Sequence, residues 1–86
     1  MKNIFVGNLE PDATEAALRF LFQPYGAVKR VSLVRDRESG QLKGFGFVEM
    51  RIEADGDRAI SELNGKEAAG RVLDVHAARP RIHQKK

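Results

Sequence analysis

The sequence predicts an α+β fold in which strands and helices follow one another in the order β-α-β-β-α-β. Three observations support this order. Four segments alternate apolar and polar residues with the two-residue period of a strand. Two segments repeat apolar residues at helical spacing. Turn-forming Gly, Pro, Asn and Asp residues separate most of these segments. With 86 residues, the chain has room for a single domain.

The first half of the chain predicts a strand, a helix and a second strand. Residues 2–7 form a short alternating run rich in β-forming residues. Thr14 is the expected N-cap of the first helix, because its hydroxyl can accept a hydrogen bond from a backbone N–H of the first turn. Pro24 and Gly26 end that helix. Residues 28–35 then alternate again.

The second half predicts a hairpin strand, a helix and a final strand. Residues 36–40 are the hairpin loop, and residues 43–50 are its second strand. The second helix covers residues 54–63, where Gly56 lowers helix propensity by about 1 kcal/mol but allows close approach to the sheet. Residues 72–77 form the last strand. The order is that of the ferredoxin-like split βαβ sandwich, a four-stranded antiparallel sheet with two helices on one face.

The two faces of the predicted sheet differ in composition. One set is aliphatic or Met and suits a core beneath the helices: Ile4, Val6, Val31, Leu33, Val48, Met50, Leu73 and Val75. The opposite set faces solvent: Asn3, Phe5, Arg30, Ser32, Lys43, Phe45, Phe47, Glu49, Asp74 and His76. Three of the five phenylalanines therefore lie on the open face. Each ring forgoes roughly 1.5–3 kcal/mol of possible burial energy.

Aromatic rings beside cations on a flat surface suit unstacked nucleic-acid bases. Stacking contributes roughly 1–3 kcal/mol per base, and Lys43 adds a charge suited to a phosphate. The alternative is that the rings stack across strands and only stabilise the sheet.

Two segments carry a resemblance to the RNA-recognition motif family. Residues 4–9, IFVGNL, resemble its first-strand hexamer, and residues 43–50, KGFGFVEM, resemble its third-strand octamer. The similarity extends from residue 2 to about residue 80 and is nearest to the small one-domain bacterial members. Met50 departs from the pattern, which has an aromatic residue there. Because Met50 faces the predicted core, we expect a change in packing with little effect on binding.

The resemblance implies a role for each matching residue. Phe5 and Phe47 would each stack a base, Phe45 would lie against sugars, and Lys43 would contact the backbone. Asn3, Arg30 and His76 complete the expected RNA-binding face of the sheet. His76 could instead be an inert exposed histidine.

The positive charge is concentrated at the C-terminus. The formal net charge is +3, yet residues 79–86 hold four basic residues and no acid. The preceding 78 residues carry 11 basic and 12 acidic residues, a net charge of −1. We therefore expect a domain over residues 1–80 and a flexible basic tail over residues 81–86. Arg79 and Arg81 are candidate phosphate contacts, and a solvated terminus is the alternative.

Other exposed side chains leave alternatives open. Glu49 and Asp74 repel phosphate, so they could exclude the backbone locally or accept hydrogen bonds from base amino groups. Phe20 lies off the apolar stripe of the first helix and could belong to a protein-binding patch, or be one of the single exposed apolar residues common in proteins.

The composition makes several functions improbable. The chain has no cysteine and therefore no disulfide or thiolate metal site. Its two histidines lie at unrelated positions, and no acid–base pair falls in a predicted cleft. We expect neither catalysis nor a cofactor. Residues 1–7 are too short and too quickly polar a run to be expected to act as a secretory signal. No apolar run comes near the roughly 20 residues that span a membrane.

The predicted function is binding of about two to four nucleotides of single-stranded RNA by a cytoplasmic monomer, in post-transcriptional regulation. Two alternatives remain at this point. One is a protein-interaction module of the same fold, and the other is binding of single-stranded DNA, which stacks on aromatic rings equally well.

Overall fold

A computed structural model describes residues 1–68 and 70–78. The elements of this part of the chain are β1 (Lys2–Gly7), α1 (Glu15–Phe22), β2 (Val28–Arg35), β3 (Leu42–Met50), α2 (Glu53–Leu63), β4 (Glu67–Ala68), β5 (Arg71–Val72) and β6 (Asp74–Ala77). The main sheet has the order β2-β3-β1-β6, and each neighbouring pair is antiparallel. The predicted fold class is confirmed.

The last strand is shorter than its prediction over residues 72–77. The structure begins β6 at Asp74 and pairs Val72 with Glu67 in a separate two-stranded hairpin, β4-β5. Leu73 forms backbone hydrogen bonds with the chain leaving α2: its N–H donates to the Lys66 carbonyl, and its carbonyl accepts from the Gly65 N–H, both at 2.9 Å. These bonds tie Leu73 to that chain segment, and its side chain remains buried.

Helix α1 begins and ends as its sequence predicts. The Thr14 hydroxyl accepts a hydrogen bond from the Ala17 N–H at 3.0 Å, which satisfies a donor of the first turn. Leu18 and Phe22 are buried on the inner side of the helix. A 3₁₀ turn containing Pro24 follows directly after Phe22.

The core fills the space between the helices and one face of the sheet. Its buried residues are Ile4, Val6, Leu9, Leu18, Phe22, Val31, Val48, Met50, Ala59, Leu63, Leu73 and Val75. Met50 is completely buried, as expected from its inward position. Most of the predicted inner residues belong to this cluster, and Leu33 packs against it while partly buried. The opposite face of the sheet is left uncovered by the helices.

Helix α2 crosses β1 closely at Gly56. A Cβ atom added to Gly56 would lie 2.5 Å from Cβ and 2.6 Å from Cγ of Lys2, so the predicted close approach at this glycine is confirmed. Beside it, the Lys2 ammonium lies 2.8 Å from a carboxylate oxygen of Asp57. This hydrogen bond raises the pKa of Lys2 above its ordinary value.

Strand β2 is irregular at two points. Its pairing with β3 shifts register between Val28 and Arg30 and again between Leu33 and Arg35. Between these points Val31 lies opposite Val48, and Ser32 lies opposite Phe47. The regular middle of β2 therefore aligns with the aromatic part of β3. Neither helix of the described chain is long and apolar enough to cross a membrane.

Candidate nucleic-acid interface

Phe5, Phe45 and Phe47 form one aromatic cluster on the open face of the sheet. Phe5 lies directly opposite Phe47 in the β1-β3 pairing. The ring centroid of Phe5 is 5.6 Å from that of Phe45 and 5.9 Å from that of Phe47. The Phe45 and Phe47 rings meet edge to face at 6.1 Å. These separations are typical of favourable aromatic pairs, and the sheet pairing holds all three rings in one place.

Each of the three rings is half-buried. The ring contacts support the interpretation that the cluster stabilises the sheet through cross-strand pairs. They leave part of each residue's surface exposed on the face that α1 and α2 leave uncovered. Stabilisation of the sheet and stacking of a base are therefore compatible in this arrangement.

Gly7 provides the space into which the Phe5 ring extends. Gly7 lies two residues after Phe5 on β1, hence on the same face. A Cβ atom on Gly7 would lie 2.9 Å from Cε2 and 3.0 Å from Cζ of Phe5. A side chain here would push the ring away. Gly7 was not among the residues predicted for the site, although a glycine on the same strand face as Phe5 is a signal that the sequence contains.

We expect Gly7→Ala to weaken RNA binding with little change in thermal stability. The added methyl group meets the far end of the Phe5 ring, which can rotate aside, so the ring leaves its position while the core is untouched. The variant should lose part of the roughly 1–3 kcal/mol of one stacked base, measured by fluorescence anisotropy with a short single-stranded RNA. In a Phe5→Ala background the same change should have no further effect, because the two substitutions act through one ring. Additive losses would contradict this coupling.

His76 extends the aromatic surface onto β6. It lies opposite Phe5 in the β1-β6 pairing, and the two rings are nearly parallel, 21° apart, with centroids separated by 6.4 Å. The imidazole Nε2 lies 2.5 Å from a carboxylate oxygen of Asp74. The structure thus places His76 on the open face, in contact with Asp74.

Arg30, Glu49 and Asn3 form a polar row next to the aromatic cluster. Glu49 on β3 lies opposite both Asn3 of β1 and Arg30 of β2. The Arg30 Nε lies 3.9 Å from a carboxylate oxygen of Glu49. Lys43 is exposed at the other end of β3, beyond Phe45. Arg30 and Lys43, the two cations predicted to contact RNA on the sheet, therefore lie at opposite ends of the aromatic cluster.

Asn8 connects the end of β1 to the unpredicted β4-β5 hairpin. Its backbone has a φ of 62°, a conformation that asparagine tolerates better than most residues. Its side-chain amide donates to the Val72 carbonyl at 2.7 Å, and its side-chain oxygen accepts from the Arg71 guanidinium at 3.3 Å. Arg71 is therefore held near the end of β1, a placement that periodicity could not predict.

Arg79 and Arg81 lie outside the described residues, as does the rest of the basic tail. Within residues 1–68 and 70–78, no group of three or more His, Cys, Asp or Glu side chains could hold a metal ion. The described chemistry of the open face is therefore aromatic at its centre and mixed in charge at its margins.

A model of the RNA recognition motif matches residues 4–74. The chain belongs to the RNA recognition motif family. The match includes both predicted motifs and all three rings of the aromatic cluster, so the resemblance found in the sequence is confirmed. The four-stranded sheet with two helices and the three aromatic residues agree with the expectations from that resemblance.

Relatives and solved structures agree with the match. The "Putative RNA-binding protein RbpD" of Nostoc sp. is 55% identical over 78 residues, which are 91% of this chain and 83% of the relative. The crystal structure of RNA Binding Protein PG1 superposes with a TM-score of 0.92 at 47% identity, covering 96% of this chain and 100% of PG1. An SXL-lethal protein/RNA complex gives a TM-score of 0.86 at 35% identity, covering 92% of this chain and 47% of that protein.

Proposed function

We propose that the domain binds a few nucleotides of single-stranded RNA on the open face of its sheet. In this proposal Phe5 and Phe47 each stack one base, and Phe45 contacts the sugars between them. The observation that carries it is the cluster of three half-buried rings on the face that the helices leave uncovered. The family, the RNA-binding names of the relatives and the RNA complex of a similar structure support the same function.

Stacking is the main source of affinity in this proposal. Arg30 lies near Glu49, and His76 contacts Asp74, so these two side chains add little net positive charge to the sheet. Residues 1–78 carry a net charge of −1. Because phosphate contacts require unneutralised cations, Lys43 and the basic tail are the proposed backbone contacts.

Chemical-shift mapping by NMR tests the proposed surface. Titration with a short single-stranded RNA should shift the signals of Phe5, Phe45, Phe47 and the neighbouring sheet residues. Shifts confined to α1 around the exposed Phe20 would instead favour a protein-interaction module. Parallel titration with the DNA of the same sequence compares the two nucleic acids, and tighter binding of the DNA would contradict the RNA assignment.

The tail contributes to binding through phosphate contacts in this proposal. Truncation after Ala78 removes Arg79, Arg81, Lys85 and Lys86. The slope of log affinity against log salt concentration should become shallower by about 0.7 for each lost contact to a single strand. Anisotropy titrations at several salt concentrations measure this slope. Equal slopes with and without residues 79–86 would show that the tail contacts no phosphate.

The proposed cellular role is post-transcriptional regulation, carried out in the cytoplasm by a non-catalytic monomer. The alternative of a protein-interaction module is disfavoured because the aromatic residues expected for RNA binding are all present on the open face.

A further inference from the structure

The polar row beside the aromatic cluster contains a carboxylate, Glu49, on the face proposed to bind RNA. Glu49 follows Phe47 by two residues on β3, so its side chain is roughly 7 Å further along the same face. Its side chain is only 22% exposed, whereas that of its neighbour Arg30 is 72% exposed. The Glu49 side chain therefore lies close to the surface of the sheet, next to the place where a base would stack on Phe47. A phosphate is repelled here, whereas the N–H donors of a base edge suit a carboxylate.

The Glu49 carboxylate keeps its capacity to accept hydrogen bonds. Arg30 approaches to 3.9 Å, which is too long for a hydrogen bond. Within the described ranges, 1–68 and 70–78, no side-chain hydrogen bond to Glu49 is formed. Asp74, the other carboxylate on this face, differs because the His76 imidazole lies 2.5 Å from it. Glu49 is therefore the carboxylate better prepared to accept hydrogen bonds from a ligand.

The chemistry of the bases selects among possible partners. A carboxylate accepts two parallel hydrogen bonds most strongly from two adjacent N–H donors. Guanine presents such a pair, N1–H and the N2 amino group, on its Watson–Crick edge. Adenine and cytosine present one amino group beside an acceptor nitrogen, and uracil presents one N–H between two carbonyls. The O6 atom of guanine would be left to accept a hydrogen bond, and Asn3 and Arg30 flank Glu49 with donors.

We propose that Glu49, with Arg30 and Asn3 beside it, reads the Watson–Crick edge of a guanine stacked on Phe47. The inference rests on the proposed function, since the base must first stack on the sheet. It adds a sequence preference to a surface that stacking alone would leave tolerant of every base. The preference arises because guanine N1–H and its N2 amino group donate to the Glu49 carboxylate, while guanine O6 accepts from Asn3 or Arg30.

The test uses uridine heptamers in which the central position is guanosine, inosine, adenosine, cytidine or uridine. Because the flanking bases are all uridine, the RNA can bind in the register that places its central base in the site. Anisotropy titrations of the wild-type chain should show the tightest binding to the guanosine RNA, by about 5- to 150-fold over uridine. Inosine differs from guanosine only in lacking the N2 amino group, so the inosine RNA should bind more weakly than the guanosine RNA. The difference measures the contribution of the N2 amino group.

Glu49→Gln should remove most of the preference for guanosine over inosine, because an amide presents one acceptor instead of two. Glu62→Gln is the matched control, since Glu62 is exposed on α2 and should leave the preference intact. Loss of the preference in Asp74→Asn but not in Glu49→Gln would overturn the assignment. Equal wild-type binding to all five RNAs, weakened by Phe47→Ala, would overturn the guanine inference while supporting base stacking. Failure to bind any of them would overturn the proposed function and this inference together.

Discussion

Replacing Phe47 with alanine is expected to weaken binding of single-stranded RNA by about 5- to 150-fold. The change removes one stacking surface, and loss of a base–aromatic contact costs roughly 1–3 kcal/mol. It also removes the edge-to-face contact with Phe45 and the contact with Phe5, which hold the remaining rings in place. Fluorescence anisotropy with a labelled heptamer measures the loss, at a temperature where circular dichroism shows the variant to be folded.

Phe20→Ala is the matched control for this experiment. Phe20 is 76% exposed and lies on α1, on the side of the sheet opposite the aromatic cluster. The same substitution there should leave RNA affinity unchanged. If Phe47→Ala and Phe20→Ala bind RNA equally to the wild type, the aromatic cluster is not the binding surface. A loss limited to Phe20→Ala would move the site to the helices.

Replacing Phe22 with alanine is expected to destabilise the fold by about 3–5 kcal/mol. Phe22 is completely buried and is the largest fully buried side chain of the core. Its removal leaves a cavity between α1 and the sheet that close packing cannot refill. Small domains have a total stability near the lower end of roughly 5–15 kcal/mol, so the variant should be largely unfolded at physiological temperature. Urea denaturation at low temperature measures the difference.

Phe20→Ala serves again as the control, because it is the same substitution two residues earlier on the same helix. Surface changes of this kind usually stay within about 0.5 kcal/mol. Equal destabilisation by the two substitutions would contradict the orientation of α1. A near-neutral Phe22→Ala would mean that the core closes around the missing ring.

Periodicity predicted the open face correctly because alternation is a local property of each strand. Phe5, Phe45 and Phe47 could be assigned to one face without knowing which strands are neighbours. Their mutual contacts depend on the β1-β3 register, which places Phe5 opposite Phe47. Register is set by pairing across the whole sheet, so the sequence pattern named the members of the cluster but not its geometry.

Contacts between segments that are distant in the sequence could not be predicted from the periodicity of single strands. Strands β4 and β5 have two residues each, which is too short for any periodic signal. The anchoring of their hairpin by Asn8 joins residues 64 positions apart in the chain. The approach of Arg30 to Glu49 likewise depends on the register of β2 against β3. The shared face of Gly7 and Phe5 could be read from the sequence, but the close approach of the Phe5 ring to Gly7 could not.

The irregularities of β2 also affect how copies of the domain behave beside one another. Strand order puts β2 at an edge of the sheet, where unpaired backbone groups can recruit a strand from another molecule. The shift between Val28 and Arg30 places an extra residue, Lys29, in β2 and so breaks the regular spacing that such a strand would need. Lys29, Arg30 and Arg35 are exposed along the same edge. Bulges and cations are both recognised deterrents of edge-to-edge association. The β2 edge is therefore poorly suited to pair with a strand from another copy of the domain.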